Sequence, residues 1–148
     1  MVMKLYVLPI LILFVNNTIY AQKDKIEHIW YNEEKTSKIQ IYKGVDDVFY
    51  GKIVWLIRPL DKDAHPKIDK LNPDPKLKSQ PILNSVILKG FTRSKSDTSL
   101  YENGTVYSPA NGKTYCGVII HRGKELKLRG YFCGFSILGK SWICPLAE

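Results

Sequence analysis

The sequence predicts an all-β fold, an antiparallel β-barrel of about eight strands forming one domain. Three observations predict it. The chain has 148 residues, a one-domain length. Short segments of alternating apolar and polar residues recur along it, separated by Gly, Pro, Asn and Ser. No internal repeat and no amphipathic helical period interrupts them. Aromatic residues make up 11% and charged residues 24%, which excludes a disordered tail or a coiled coil.

The first segment stands outside that fold. Residues 1–21 read as a secretory signal peptide. Lys4 supplies the positive start, and residues 5–15 form an apolar run too short to span ~30 Å of hydrocarbon as a helix. Asn16, Asn17 and Thr18 are polar, and Ala21 precedes the expected cleavage site, with Ile19 two residues before it. An uncleaved anchor is the alternative, although Pro9 interrupts the run. No cysteine follows the run, so a lipid-modified cysteine is not expected. The exported domain is then residues 22–148, with one cationic residue fewer than the +8 of the whole chain.

The strands follow in order. Ser37, Ile39 and Ile41 alternate with polar neighbours. Residues 47–58 are the clearest strand: Phe49, Gly51, Ile53, Trp55 and Ile57 share one face, while Tyr50, Lys52 and Arg58 share the other. Residues 82–91 are apolar and β-branched, and residues 105–107 form a short strand. Residues 115–121 and 126–133 flank Arg122-Gly123-Lys124, which reads as a hairpin loop. Residues 141–144 close the chain after Leu138-Gly139-Lys140. With Gly123 at the centre, Ile120 faces Leu126, Val118 faces Leu128 and Cys116 faces Gly130, forming the inward row. Tyr115, Gly117, Ile119, Lys127, Arg129, Tyr131 and Cys133 then face outward.

One stretch breaks the rhythm after the third strand. Residues 59–81 hold Pro59, Pro66, Pro73, Pro75 and Pro81, five of the eight prolines. Proline has no N–H for a ladder, so a long loop is expected. Asn72-Pro73-Asp74 can cap a short helical turn running through Lys78. A crossover over one barrel end and a lid over a ligand are both open readings.

Two stretches carry a resemblance. The first runs from Asp69 through Asn72-Pro73-Asp74-Pro75 to Pro81. The second runs Gly104-Thr105-Val106-Tyr107-Ser108-Pro109-Ala110-Asn111-Gly112-Lys113-Thr114-Tyr115. With Tyr50-Gly51-Lys52-Ile53, Leu126 to Arg129-Gly130-Tyr131, and Trp142, the chain resembles the secreted bacterial family called domain of unknown function 2147. The likeness spans residues 26–142. It implies a small lipocalin-like β-barrel, exported across the inner membrane, with no established activity. The chain departs from the family pattern at Ser108, where Asp is usual, at Asn84, where Gly is usual, and after Trp142, where Ile143-Cys144-Pro145 stands.

Chemistry is sparse in the remaining pattern. Export permits disulfides. If Ser136 faces Ser141, then Cys133 lies beside Cys144, and this is the expected pair; two free thiols there is the alternative. Cys116 is expected as a buried thiol. Asp61, Asp63, His65 and Asp69 read as a solvated charge run, because their spacing matches no metal motif. His28, His65 and His121 are scattered. No nucleophile elbow, phosphate loop or dinucleotide fingerprint is present. No catalytic residue, cofactor or metal is therefore expected.

The charge favours anionic envelope surfaces over nucleic acid, because export removes most nucleic-acid partners and the arginines are spread out. A monomer is expected. Trp30, Trp55, Tyr107, Tyr115, Phe132 and Trp142 are the candidates to line a barrel cavity, against the alternative of a packed core. The preferred function is non-catalytic binding of a small apolar or amphipathic ligand. The alternative is an envelope interaction module with a filled barrel and a basic outer surface. N-terminal sequencing of the exported protein should begin at Gln22; a chain retaining residues 1–21 would contradict the signal-peptide reading.

Overall fold

A computed structural model of the protein describes residues 24–147; the expected signal peptide lies outside them. Eight strands run in chain order: β1 Ile29–Tyr31, β2 Ser37–Lys43, β3 Phe49–Leu56, β4 Val86–Arg93, β5 Leu100–Ser108, β6 Lys113–His121, β7 Glu125–Phe132 and β8 Phe135–Pro145. Each pairs antiparallel with the next, giving one up-and-down sheet. The sheet curls until its two edges meet. Trp30 bridges Leu146, and the Ala147 N–H donates to the Ile29 carbonyl at 2.8 Å.

Strand existence follows the period of two, but three local irregularities decide which side chains face inward. The first is the β6–β7 turn. Its loop is two residues, Gly123-Lys124, closed by the Arg122 N–H on the Glu125 carbonyl at 2.8 Å. Gly123 sits at φ +68°, while Lys124 does not take a positive φ, as a type II′ turn demands. The expected three-residue loop is therefore wrong by one residue. Ile119 faces Leu128, Gly117 faces Gly130, and Cys116 faces Tyr131. Ile119, Gly117, Leu126 and Leu128 are buried, so on β6 the inward row is the opposite of the expected one.

The second irregularity is a bulge on β3. Lys38 pairs Trp55 but Ile39 pairs Ile53, which leaves Val54 as the extra residue. Ile53 points inward, whereas Trp55 and Ile57 turn outward. Trp55 packs edge-on against Tyr31 and lies under the Lys38 ammonium, 5.9 Å from its ring. The third is a joint kink in β4 and β5, where Gly90 and Asn103 both take positive φ. Leu88 and Phe91 are both buried although they lie three residues apart.

The cysteine pairing is corrected by the same geometry. Cys116 and Cys133 form the disulfide, with Cα atoms 5.1 Å apart, and Cys144 is a free, buried thiol. The β7–β8 turn falls at Cys133-Gly134, with Phe132 facing Phe135, and not at residues 137–140. That puts Cys144 opposite Leu126 in the core, far along β8 from Cys133. The one-residue change on β6 turns Cys116 outward, where the hairpin tip can reach it. Burial first, then the carboxylates of Glu33 and Glu34, push the Cys144 thiol up to about 12.

The interior is solid at one end. Ile26, Trp30, Phe49, Phe91 and Tyr101 are fully buried there. Residues 24–28 seal that end: the Trp30 indole donates to the Ile26 carbonyl at 2.9 Å, and Asp24 receives both the Tyr101 hydroxyl and Arg93. Burial, then the Asp24 hydrogen bond, raises the Tyr101 hydroxyl above its ordinary range. A void of about 10 Å³ lies beside Trp30, Ile39, Leu88, Ile119 and Leu128, about one water's worth.

Glycines make this packing possible. A Cβ on Gly104 would stand 2.4 Å from the Phe91 ring, and one on Gly117 would stand 3.1 Å from its Cζ. Gly104→Ala should therefore lower stability by about 1–3 kcal/mol. Urea unfolding checks this, and Phe91→Leu in the same chain should recover part of the loss. Equal midpoints for wild type and Gly104→Ala would contradict the packing.

Candidate functional site

The other end of the barrel is open, and four connections surround it: residues 32–36, 57–85, 109–112 and 133–134. A cavity of about 490 Å³ opens there. Its walls come from inward positions at the ends of four consecutive strands. Val106 and Ser108 come from β5, Tyr115 from β6, Gly130 and Phe132 from β7, and Leu138, Lys140 and Trp142 from β8. Pairings Val106 with Tyr115, Gly130 with Lys140 and Leu128 with Trp142 place these residues on the inner face.

The lining is aromatic and held in place. Tyr115 and Phe132 meet edge to face with centroids 5.6 Å apart. The Asn111 amide donates to the Tyr115 hydroxyl at 2.9 Å, while its carbonyl oxygen accepts the Lys113 N–H at 3.0 Å. Trp142 lies over Gly130, whose missing Cβ would stand 3.2 Å from the indole. Lys140 sits over that indole, 5.5 Å from its ring, and places one cation at the rim. The polar groups of its lining are Ser108, Asn111, Lys140 and the hydroxyls of Tyr115 and Tyr131.

The long proline-rich segment does not cover this mouth. It is tied to itself by bridges Leu60–Pro66 and Ile68–Pro81, and it packs against the outer face of β4 and β5. Asp69 and Asn72 are buried and fasten it. The Tyr107 hydroxyl donates to Asp69 Oδ1 at 2.8 Å, and the Asn72 amide donates to Asp69 Oδ2 at 2.7 Å. Asn72 Oδ1 in turn accepts the Asp74 N–H at 2.9 Å. The expected helical turn from Asn72 is a run of turns instead, with Leu77 N–H on the Asp74 carbonyl. At the β5–β6 turn, which follows Pro109, Gly112 has φ +67°, and a Cβ there would stand 2.1 Å from the Leu71 carbonyl oxygen. Only glycine fits that contact. A groove of about 790 Å³ remains between the segment and the strands, walled by Pro73, Leu77, Ile87, Lys89, Thr105 and Tyr107 among others.

The six aromatic residues singled out from the sequence thus separate. Tyr115, Phe132 and Trp142 meet in the mouth cavity. Trp30 is packed in the closed end, Tyr107 is part of the outer latch, and Trp55 lies on the outer surface. Among the motif residues, Gly130 lines the mouth and Asn111 braces it. Gly104 admits Phe91, and Arg129 donates to the Ser136 carbonyl. Sequence reasoning missed Val106, Leu138 and Lys140. Val106 belongs to a strand whose alternation is broken by the kink, and Leu138-Gly139-Lys140 reads as a turn in the sequence. Asp61 accepts the N–H groups of Asp63 and His65 within its own turn, whereas Asp69 faces Tyr107. These groups do not converge, and among the described residues no cluster of three metal-ligating side chains forms.

An eight-stranded meander with one sealed end and one apolar mouth defines the lipocalin-like class of barrel. It superposes on the protein HP1028 from the human pathogen Helicobacter pylori, described as belonging to the lipocalin family, with a TM-score of 0.69, 22% identity and 84% coverage of each chain. The chain belongs to the family of uncharacterized proteins conserved in bacteria, domain of unknown function 2147, which matches it over residues 28–144. No curated protein matches the chain.

Burial, then the Asp69 hydrogen bond, pushes the Tyr107 hydroxyl from 10.0 up to about 12. A raised value in the folded state means the neutral phenol favours folding. That contribution is complete below pH 10.0 and is lost as pH rises through about 12. Tyr107→Phe should remove the extra alkaline loss of stability over that window, followed by urea midpoints against pH. An identical alkaline slope in both proteins would contradict the latch.

Proposed function

We propose that this is an exported binding protein that holds a small apolar or amphipathic ligand in the barrel mouth. One observation carries the reading: an aromatic cavity of about 490 Å³ stands above a floor with no room for a ligand. Small binding sites are concave, mostly apolar and marked by few polar groups. Tyr115, Phe132, Leu138 and Trp142 supply the apolar wall. Lys140 supplies a cation at the rim, which suits a ligand with an anionic head and an apolar body.

The likeness in fold to a protein described as a lipocalin supports a ligand-binding role. The Cys116–Cys133 bridge supports export, since such bridges persist in oxidising compartments. The mouth is the candidate site in preference to the outer groove, because the groove is walled by a larger share of polar side chains.

Titration with N-phenylnaphthylamine, read by its emission and by tryptophan quenching, tests the reading. The wild-type protein should bind the probe displaceably. Gly130→Leu fills the cavity beneath Trp142, and Trp142→Ala removes a wall; each should weaken binding about tenfold or more, the equivalent of ~1.4 kcal/mol. Leu77→Ser, in the outer groove, should bind as wild type does. Absent displaceable binding, or equal binding by all four proteins, would overturn the proposal.

A further inference from the structure

The β7–β8 hairpin carries a feature that ligand binding in the mouth does not require. Tyr131 pairs Gly139, yet Phe132 pairs Phe135, so Ser136, Ile137 and Leu138 form a bulge in β8 with no residue opposite them on β7. Ile137 is 91% exposed, Phe135 66%, Leu138 59% and Phe132 52%. Four large apolar side chains within seven residues are thus offered to solvent at one projecting tip. Surfaces of monomers seldom expose apolar residues so densely without a partner.

The tip is also tied at two points. The Cys116–Cys133 disulfide fastens the turn to β6, and the Arg129 guanidinium donates to the Ser136 carbonyl in the bulge. An exposed apolar loop of no use would have no reason to be cross-linked in its exposed form.

We infer that this tip inserts into the headgroup region of an anionic lipid bilayer and seats the barrel mouth against it. Charge complementarity selects the occupant. From Leu126 to Ala147 the chain has no acidic residue, while Arg129, which pairs Ser141, and Lys140 lie in the same stretch and Lys113 starts the neighbouring strand. The carboxylates placed against β8 are Glu33, which accepts the Ile143 N–H eight residues along from Phe135, and Glu125, which pairs Pro145 at the far end of the strand. The exported domain keeps all but one of the cations behind the chain's +8. Apolar side chains at a tip backed by cations match the two attractions that hold a protein at an anionic interface.

Phe132 and Leu138 belong both to the tip and to the mouth. A seated tip therefore opens the cavity toward the acyl region, so an amphipathic ligand can pass without crossing water. That transfer rests on the ligand reading above; the docking does not.

Flotation with phosphatidylcholine vesicles, with and without phosphatidylglycerol, tests the docking. Phe135→Ser/Ile137→Ser changes exposed residues outside the cavity wall. Wild-type protein should float with the anionic vesicles, less so as salt rises, and the double variant should partition about tenfold less or weaker still. The double variant should retain wild-type affinity for N-phenylnaphthylamine without vesicles, so a failed docking and a failed ligand site give different results. Equal partitioning of both proteins, or equal flotation with neutral vesicles, would overturn the inference. So would a wild-type protein that ignores vesicles but self-associates in sedimentation through the same two residues.

Discussion

Phe91 lies across two glycines on neighbouring strands, Gly104 and Gly117, and at Gly104 no side chain larger than hydrogen fits beneath it. The ring is fully buried and stands among Phe49, Tyr101 and Trp30. Small barrels either fill with side chains or keep room for one ligand. Here the choice is made separately at each end. The aromatic rings occupy the end sealed by residues 24–28. Above them Gly130, Ser108 and Val106 leave space that Trp142 and Tyr115 wall but do not fill. That aromatic floor sets the depth of the mouth.

The outer face carries a second set of constraints. Asp69, Asn72 and Tyr107 tie the long proline-rich segment down, and the Leu71 carbonyl fits against Gly112. The most specific-looking motifs of the sequence therefore meet in one structural latch. Their density of polar residues has a physical reason: a segment with five prolines cannot join a ladder, so side chains must satisfy and anchor its backbone. The latch leaves the mouth uncovered, which makes the segment a brace and not a lid.

Much of the fold was legible because alternation survives in most strands. Phe49, Gly51 and Ile53, and Leu126, Leu128 and Gly130, face inward as their spacing requires. Face assignment failed where a single residue was added or removed. The turn at Gly123-Lys124 is one residue shorter than expected, which turned Cys116 outward and changed the disulfide. The Val54 bulge moved Trp55 from the inner to the outer face. Bulges and turn types depend on local φ and on closure of the whole barrel, neither of which the polar–apolar pattern encodes. Three of the mouth residues were legible as aromatics on strands. Lys140 and Leu138 were not, because the β8 bulge at Ser136, Ile137 and Leu138 has no counterpart in a regular hairpin.

A crystal structure of the protein soaked with a brominated fatty acid separates a barrel that takes a ligand at its open end from one that does not. Anomalous bromine density is expected between Trp142, Tyr115 and Phe132, with Phe91 and Trp30 unmoved. Bromine density confined to the outer groove beside Leu77, or a mouth closed by its own side chains, would contradict a ligand site at the open end.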